Sequence, residues 1–204
     1  MLATASVMSE SLADDIVRFM GEPAFAGIKV DVEERFSPDV ARGVREGHAS
    51  LGITWDNVDL QGLETTLYRV DHLGIVVPRS HPLHRRKQVA FEETLPWEQV
   101  SLPSTSAVQV LLERTATACG QPFKSRAMVS NFEAGLRMTR AGLAICVAPR
   151  EIFQATPNLT NLRWIALADA WATRRFLLCF KKGEQLSAAA RQLKQHLQAG
   201  ANGT

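Results

Sequence analysis

Short apolar runs alternate along this chain with amphipathic segments in which apolar residues recur every three or four positions. The first example is the run LATAS at residues 2–6, which predicts a strand. It is followed by a segment that predicts a helix from Ser9 or Ser11 to Met20, closed by Gly21. Repetition of a strand followed by an amphipathic helix is typical of α/β proteins built around parallel strands.

The same pattern continues to the end of the chain. Apolar or alternating runs predict further strands at 28–32, 49–54, 73–77, 97–102, 143–148, 163–167 and 175–180. Cap signals and helical spacing predict a helix capped by Ser37 and closed by Gly47, a helix at 107–119, one that opens on a Ser130–Glu133 capping box and one at 187–198. Val40 and Val44 are expected to face the core, and the strand at 143–148 is apolar on both faces, as in a covered parallel sheet.

Composition narrows the class of protein. The 204 residues are 46% hydrophobic and 22% charged, which is typical of a soluble globular protein with one large domain or two small lobes. The three cysteines are far apart and surrounded by apolar residues, so we expect reduced thiols and a cytoplasmic location. Neither a signal peptide nor a run of about 18 apolar residues is present, so export and membrane insertion are not expected.

Charge is unevenly distributed, although the whole chain carries only +2. Residues 73–168 carry a net charge of +5, whereas residues 1–72 taken together with 169–204 carry −3. If the two end segments pack together, one lobe is positive, and a cleft beside it would favour anionic ligands.

Motifs for catalysis are absent from the sequence, which has no GxGxxG, Walker, HExxH, GxSxG or CxxC pattern. His81 and His84 have a spacing found in metal sites, but no acidic or cysteine ligand accompanies them, and a solvated turn is the simpler interpretation. We therefore predict no catalytic residues, no metal and no cofactor.

Three Ser-, Thr- or Asn-rich loops each follow a predicted strand and open a helix. Loops that follow parallel strands collect at one edge of a sheet, where helix N–H groups and hydroxyls suit a small anion. Trp55, at the end of another strand, is a candidate apolar wall, with partial burial at a lobe edge as the alternative. The loop candidates, which could also serve only as helix caps, are Ser6, Val7, Met8, Ser104, Thr105, Ser106, Asn131 and Phe132.

Several segments, in this order and spacing, resemble the effector-binding domain of LysR-type transcriptional regulators. Besides LATAS and its serine-rich continuation, they are VDVEE (30–34), REGHASLGI (45–53), LGIVVPRSHPL (73–83), SNFEAGLRM (130–138) and AGLAI (141–145). Each segment alone is common in α/β proteins, but together they cover essentially the whole chain.

The resemblance implies a fold of two Rossmann-like lobes with a cleft between them, as in type 2 periplasmic binding proteins. Residues 1–72 with 169–204 would form lobe I, and residues 73–168 would form lobe II. The family's effector lies between the lobes, and by position the loop candidates above match the places where such domains hold it. The winged helix-turn-helix of the family is not found in these residues, so promoter DNA would be bound only through an N-terminal domain outside them.

The function implied by the resemblance is that of a non-enzymatic sensor. A small molecule, expected to be a carboxylate or another anion, would bind in the cleft and alter how a homodimer or tetramer holds DNA. Two alternatives share the fold: a stand-alone solute-binding protein, which would need an export signal, and a small enzyme similar to prephenate dehydratase, which would need an acid–base pair or nucleophile.

Overall fold

The computed structural model describes residues 1–201, except for the side chains of Glu10 and Ala201, so the last three residues of predicted lobe I lie outside the described part. The strands, in chain order β1 to β10, are Leu2–Ala3, Glu33–Glu34, Gly52–Trp55, Leu63–Pro78, Gln88–Val89, Gln99–Ser101, Ser125–Met128, Ile145–Pro149, Leu162–Leu167 and Thr173–Lys181. Alternating strands and helices confirm the predicted α/β class.

The helices follow the same alternation. Helix α1 is continuous and consists of an α segment Ala5–Val7, a π segment Met8–Leu12 and an α segment Ala13–Gly21. Helices α2 to α6 are Ser37–Arg45, Ala107–Ala118, Phe132–Arg140, Arg150–Ala155 and Ala188–Ala201. None of the helices in residues 1–201 is long and apolar enough to cross a membrane.

The chain divides into two compact units. Unit 1 comprises Met1–Val70 and the segment that begins at Arg174, and unit 2 comprises Asp71–Thr173. The chain passes from unit 1 to unit 2 within the long strand β4 and returns at the start of β10.

In unit 1 the strand order is β2-β1-β3-β10-β4. Strand β1 pairs in parallel with both β2 and β3, and β10 pairs antiparallel with β3. Part of the core lies between α2 and this sheet, where Val40 and Val44 contact Leu2 and Cys179. The predicted inward direction of the two valines is confirmed.

In unit 2 the order is β7-β6-β8-β4-β9, with β5 beside β9. Strands β6, β7 and β8 are parallel, and β4 is antiparallel to β8 and β9. The core of this unit includes Ile75 and Val147 from the sheet and Leu112 and Leu136 from the helices. The strand predicted at 143–148 is β8, buried along its whole length as expected.

Helix α1 begins earlier than predicted, because the strand at residues 2–6 ends at Ala3. Met8 N–H donates to the carbonyl of Thr4 at 3.1 Å, so the first turn is already formed where a loop was expected. Within α1 the π segment lies between Val7 and Leu12, which are both buried. These residues are five positions apart, a spacing that a regular helix of 3.6 residues per turn does not place on one narrow face.

Three further local predictions are wrong. Residues 28–32 are not a strand, because on that side of the two-residue β1 both positions pair with Glu33–Glu34. Phe36 rather than Ser37 occupies the N-cap position of α2, and Ser37 is the first helical residue. Asn131 rather than Ser130 caps α4, so the expected capping box does not form.

Candidate functional site

The carboxyl ends of β1 and β3 lie at one edge of the unit 1 sheet. The parallel register places Ala3 opposite Ile53, so the chain leaves the sheet at Thr4 on one strand and at Trp55 on the next. Strand β10 runs antiparallel beside β3 and places Phe176 opposite Trp55. Ligands of open α/β sheets bind at this kind of edge, outside the carboxyl ends of the strands.

Thr4 occupies the position between β1 and α1 and is only 9% exposed. Its backbone is extended, and its side chain does not cap the helix. Within residues 1–201 the buried Oγ1 atom of Thr4 has no hydrogen-bond partner. A buried hydroxyl in this state is costly, at about 1–3 kcal/mol, unless something binds to it.

Ser6, in the first turn of α1, contacts a buried cation. Nη1 of Arg174 donates to the Ser6 hydroxyl oxygen at 3.3 Å. Arg174 is 1% exposed, and its guanidinium carbon lies 5.0 Å from the ring centroid of Phe176. Because Arg174 occupies an acceptor position of the hydroxyl, the Ser6 O–H is directed to donate elsewhere and is polarised by the positive charge.

The other candidates of unit 1 differ from one another in burial and in their position at the sheet edge. Val7 is a core residue, and Met8, which is half-buried, begins the π segment of α1. Trp55 is the last residue of β3 and is largely buried. The structure therefore brings Ser6 and Trp55 to the same sheet edge as Thr4, whereas Val7 packs into the interior.

In unit 2 the candidate loop lies between β6 and α3. Ser104 and Thr105 are exposed, and Ser106 is half-buried at the N-cap position of α3. The Ser106 side chain does not cap the helix, and its own N–H donates to the Pro103 carbonyl at 2.8 Å. The three hydroxyls thus precede the twelve-residue helix α3, and the one at its N-cap position does not accept a hydrogen bond from the N–H groups of the first turn.

Asn131 and Phe132 lie at the same edge of unit 2 as this loop, because the Val129 N–H donates to the Ser101 carbonyl at 2.9 Å. Asn131 Oδ1 accepts the Ala134 N–H at 2.9 Å, so this side chain acts as the cap of α4. Phe132 belongs to the buried core of unit 2. Effector contact by these two residues stays a prediction, as does a site between the lobes.

Two residues of this constellation were missed from the sequence. Thr4 was placed inside a predicted strand, and the boundary error of α1 concealed its position at the strand end. Arg174 precedes the predicted strand at 175–180. The available signal was an arginine at the start of an apolar run that is expected to be buried, since an arginine is rarely buried without a specific role.

One histidine and two cysteines of the described part have pKa values that burial shifts. Among the side chains that the structure describes, no three His, Cys, Asp or Glu form a possible metal group. His81 Nδ1 accepts the Leu83 N–H at 3.2 Å, and burial lowers the pKa of this imidazole. Burial also raises the pKa of Cys146 and of Cys179 to about 12, so both thiols remain protonated.

Comparison with known proteins shows a protein family that this sequence matches. The family model of the LysR substrate binding domain matches residues 4–202. A curated relative from Emiliania huxleyi, "Probable RuBisCO transcriptional regulator", is 24% identical over 153 residues, which are 72% of this chain and 49% of the relative. The chain therefore spans about half the length of this curated relative.

Solved structures show the fold. The CcmR regulatory domain of Synechocystis PCC6803, in complex with 2-PG, superposes with a TM-score of 0.82 at 14% identity and covers 99% of this chain and 96% of its own. The BenM effector binding domain with its effector benzoate superposes with a TM-score of 0.77 at 19% identity, covering 97% and 89%. The predicted type 2 periplasmic-binding-protein-like fold is confirmed, and the family match shows that the chain belongs to the LysR substrate binding domain family.

Proposed function

We propose that this chain is the non-catalytic effector-sensing domain of a cytoplasmic LysR-type transcriptional regulator. Promoter DNA would be bound by another domain of the same polypeptide, and the regulator would act as a homo-oligomer. Two findings support this proposal: the family match over residues 4–202, and a curated relative that is described as a probable transcriptional regulator and about half of which this chain spans.

The proposed effector is a small anion with a carboxylate or phosphate group. The observation that carries this proposal is the buried Oγ1 of Thr4, which has no partner within residues 1–201 and lies at the N-terminal end of α1. Helix α1 supplies unpaired N–H groups and a positive dipole end at this point. The Ser6 hydroxyl, held by Arg174, adds a second hydroxyl donor.

Two relatives are consistent with this chemistry. One solved structure contains benzoate, a carboxylate, and another contains 2-PG. The hydroxyls of Ser104, Thr105 and Ser106 in unit 2 form a second candidate set of contacts, at the start of α3. Effector binding would alter regulation only to the extent that the effector binds one oligomer geometry more tightly than another.

A binding experiment tests the Thr4 contact. A panel of small carboxylates and phosphates that includes benzoate and 2-PG is first ranked by the increase in Tm, and the best compound is titrated by calorimetry. Thr4→Val keeps the shape of the side chain and removes the hydroxyl, so we expect Kd to rise about tenfold, the value of one hydrogen bond. Thr65→Val, on the exposed face of β4, is the matched control.

The unit 2 loop is tested by Ser104→Ala and Thr105→Ala in the same titration. Both residues are exposed, so Tm should not change, while Kd should rise. A panel in which no carboxylate or phosphate raises Tm would contradict the anionic class. Unchanged Kd values for Thr4→Val and for Ser6→Ala would remove the start of α1 from the site.

A further inference from the structure

A buried glutamine holds the candidate effector loop of unit 2. Gln109 lies in the first turn of α3 and is 1% exposed. Its Oε1 accepts the N–H of Leu102 at 3.0 Å. Leu102 is the residue at which the chain leaves β6 and enters the loop, so this bond fixes the start of the loop.

Glu113, one turn further along α3, fixes the orientation of this glutamine. The Gln109 Nε2 donates to Glu113 Oε1 at 2.8 Å. A carboxylate can only accept, so it selects the amide orientation in which nitrogen faces Glu113 and oxygen faces Leu102. Without Glu113 the amide could rotate and present its NH₂ group to the Leu102 N–H, where two donors would oppose each other.

The remainder of the loop is closed by backbone bonds. Ser106 N–H donates to the Pro103 carbonyl at 2.8 Å, and Val129 N–H donates to the Ser101 carbonyl at 2.9 Å. Gln109 is thus the one side chain that the described part of the molecule shows bonded to the backbone of residues 102–106. The positions of the Ser104, Thr105 and Ser106 hydroxyls therefore depend on it.

We propose that Gln109 and Glu113 are positioning residues that set the affinity of unit 2 for the effector without touching it. This inference rests on the proposed function, in which the loop hydroxyls contact the effector. Preorganised donors bind more tightly than mobile ones because the cost of ordering them is not incurred on binding. A purely structural role, in which Gln109 only satisfies a buried N–H, would affect stability but not affinity.

Four variants separate these roles. Gln109→Met removes the acceptor at nearly constant side-chain volume. Gln109→Glu places a second carboxylate directly against the carboxylate of Glu113. Glu113→Gln is a milder change at an exposed position, so it should fold even where a change at the buried site does not. The double variant Gln109→Glu with Glu113→Gln exchanges the two groups. It restores both bonds, because the new carboxylate accepts from Leu102 and from the new amide.

The readouts are the hydrogen exchange rates of the Leu102 and Ser106 amides and the Kd of the best compound of the anion panel, benzoate being the reference. For Gln109→Met we expect both the Leu102 exchange rate and Kd to rise about tenfold, with both restored in the double variant. Gln198→Met, which removes a 3.0 Å bond from Gln198 to Thr66 in unit 1, should change neither quantity.

Each outcome decides between the interpretations. If exchange accelerates while Kd stays within twofold of the parent, the pair is structural only and the inference is overturned. It is overturned too if the double variant recovers exchange but not affinity. If Ser104→Ala and Thr105→Ala leave Kd unchanged, the loop is not an effector contact. The proposed function of the loop then fails, whatever the exchange data show.

Discussion

Asp15 is a buried carboxylate of α1, and its partners explain why it remains charged. The Tyr68 hydroxyl donates to Oδ2 at 2.5 Å, Arg69 donates at 3.0 Å, and Arg18 forms an ion pair with the same group. Burial alone would raise the pKa of Asp15, but the hydrogen bonds from Tyr68 and Arg69 outweigh it and hold the pKa below its ordinary value of 3.8. The network joins α1 to β4.

The pH dependence of stability follows from the lowered pKa of Asp15. Because the pKa of Asp15 is lower in the folded chain, its contribution is complete above pH 3.8 and is lost as the pH falls through the lower folded value. We expect Asp15→Asn to lower Tm at pH 7 by roughly 5–10 °C, corresponding to about 3 kcal/mol for breaking a buried pair. The difference from the parent should shrink in acid.

Thermal unfolding followed by circular dichroism between pH 7 and pH 2 measures this effect. Asp14→Asn, at the exposed neighbouring position, is the control and should leave Tm nearly unchanged at every pH. A Tm difference for Asp15→Asn that is constant down to the lowest pH would contradict the role assigned to the charge.

At the scale of elements, close packing leaves one position of β4 without room for a side chain. Gly74 lies opposite Ala148 of β8 and Ala166 of β9. A Cβ atom at Gly74 would clash with Cε2 of Trp164 and would lie 2.6 Å from the Ile165 carbonyl oxygen. The indole of Trp164 is itself held by a 2.9 Å bond from Nε1 to the Ala148 carbonyl, so it cannot easily move aside.

Gly74→Ala should therefore destabilise the domain. Overpacking of this kind costs roughly 1–3 kcal/mol, and the backbone contact places this site at the upper end, with a Tm lowered by roughly 6–10 °C. Gly21→Ala, where no heavy atom lies within 4 Å of the new Cβ, is the matched control and should change Tm little. Equal unfolding midpoints for the two variants in urea would refute the packing argument.

Elements were predictable where local signals determine them. Val40 and Val44 could be assigned to the core from helical spacing alone, and Gly47 ends its helix with the positive φ of 81° that favours glycine. The start of α1 could not be predicted, because the length of β1 depends on pairing with a segment about 30 residues away. Likewise, Ser130 and Asn131 are both good caps, and only the tertiary path of the chain selects Asn131.

The residues of the candidate site also differ in whether local sequence signals reveal them. Trp55 and the Ser104–Ser106 loop lie at sheet edges, as residue types and strand ends predict, and Ser6 lies at such an edge too, although in the first turn of α1 and not in a loop. Their contact with an effector stays a prediction. Gln109 and Arg174 act through contacts with residues distant in the sequence or in the next element, and no motif marks them. Sequence periodicity places Gln109 on a helix but does not reveal which backbone group it satisfies.

At the scale of the whole chain, the two units share one topology. In unit 1 the parallel strands β2-β1-β3 are followed by the antiparallel β10, through which the chain enters the unit, and by β4. In unit 2 the parallel strands β7-β6-β8 are followed by the antiparallel β4, through which the chain enters, and by β9, and only this unit has an additional strand, β5. Unit 2 is continuous in sequence, from Asp71 to Thr173, and has its own apolar core. Unit 1 is made from two segments and cannot be expressed as one uninterrupted piece.

We therefore expect residues 71–173 to fold alone. Urea unfolding should be cooperative, and Leu136→Ala, at a fully buried position, should lower the free energy of unfolding by roughly 2–5 kcal/mol in both the fragment and the whole chain. Because the fragment contains neither Thr4 nor Ser6, its Kd for the best compound of the anion panel should exceed that of the whole chain at least tenfold. A non-cooperative fragment would show that the core of unit 2 depends on unit 1. A folded fragment that binds this compound as tightly as the whole chain would exclude the Thr4 and Ser6 hydroxyls as the principal anion contacts.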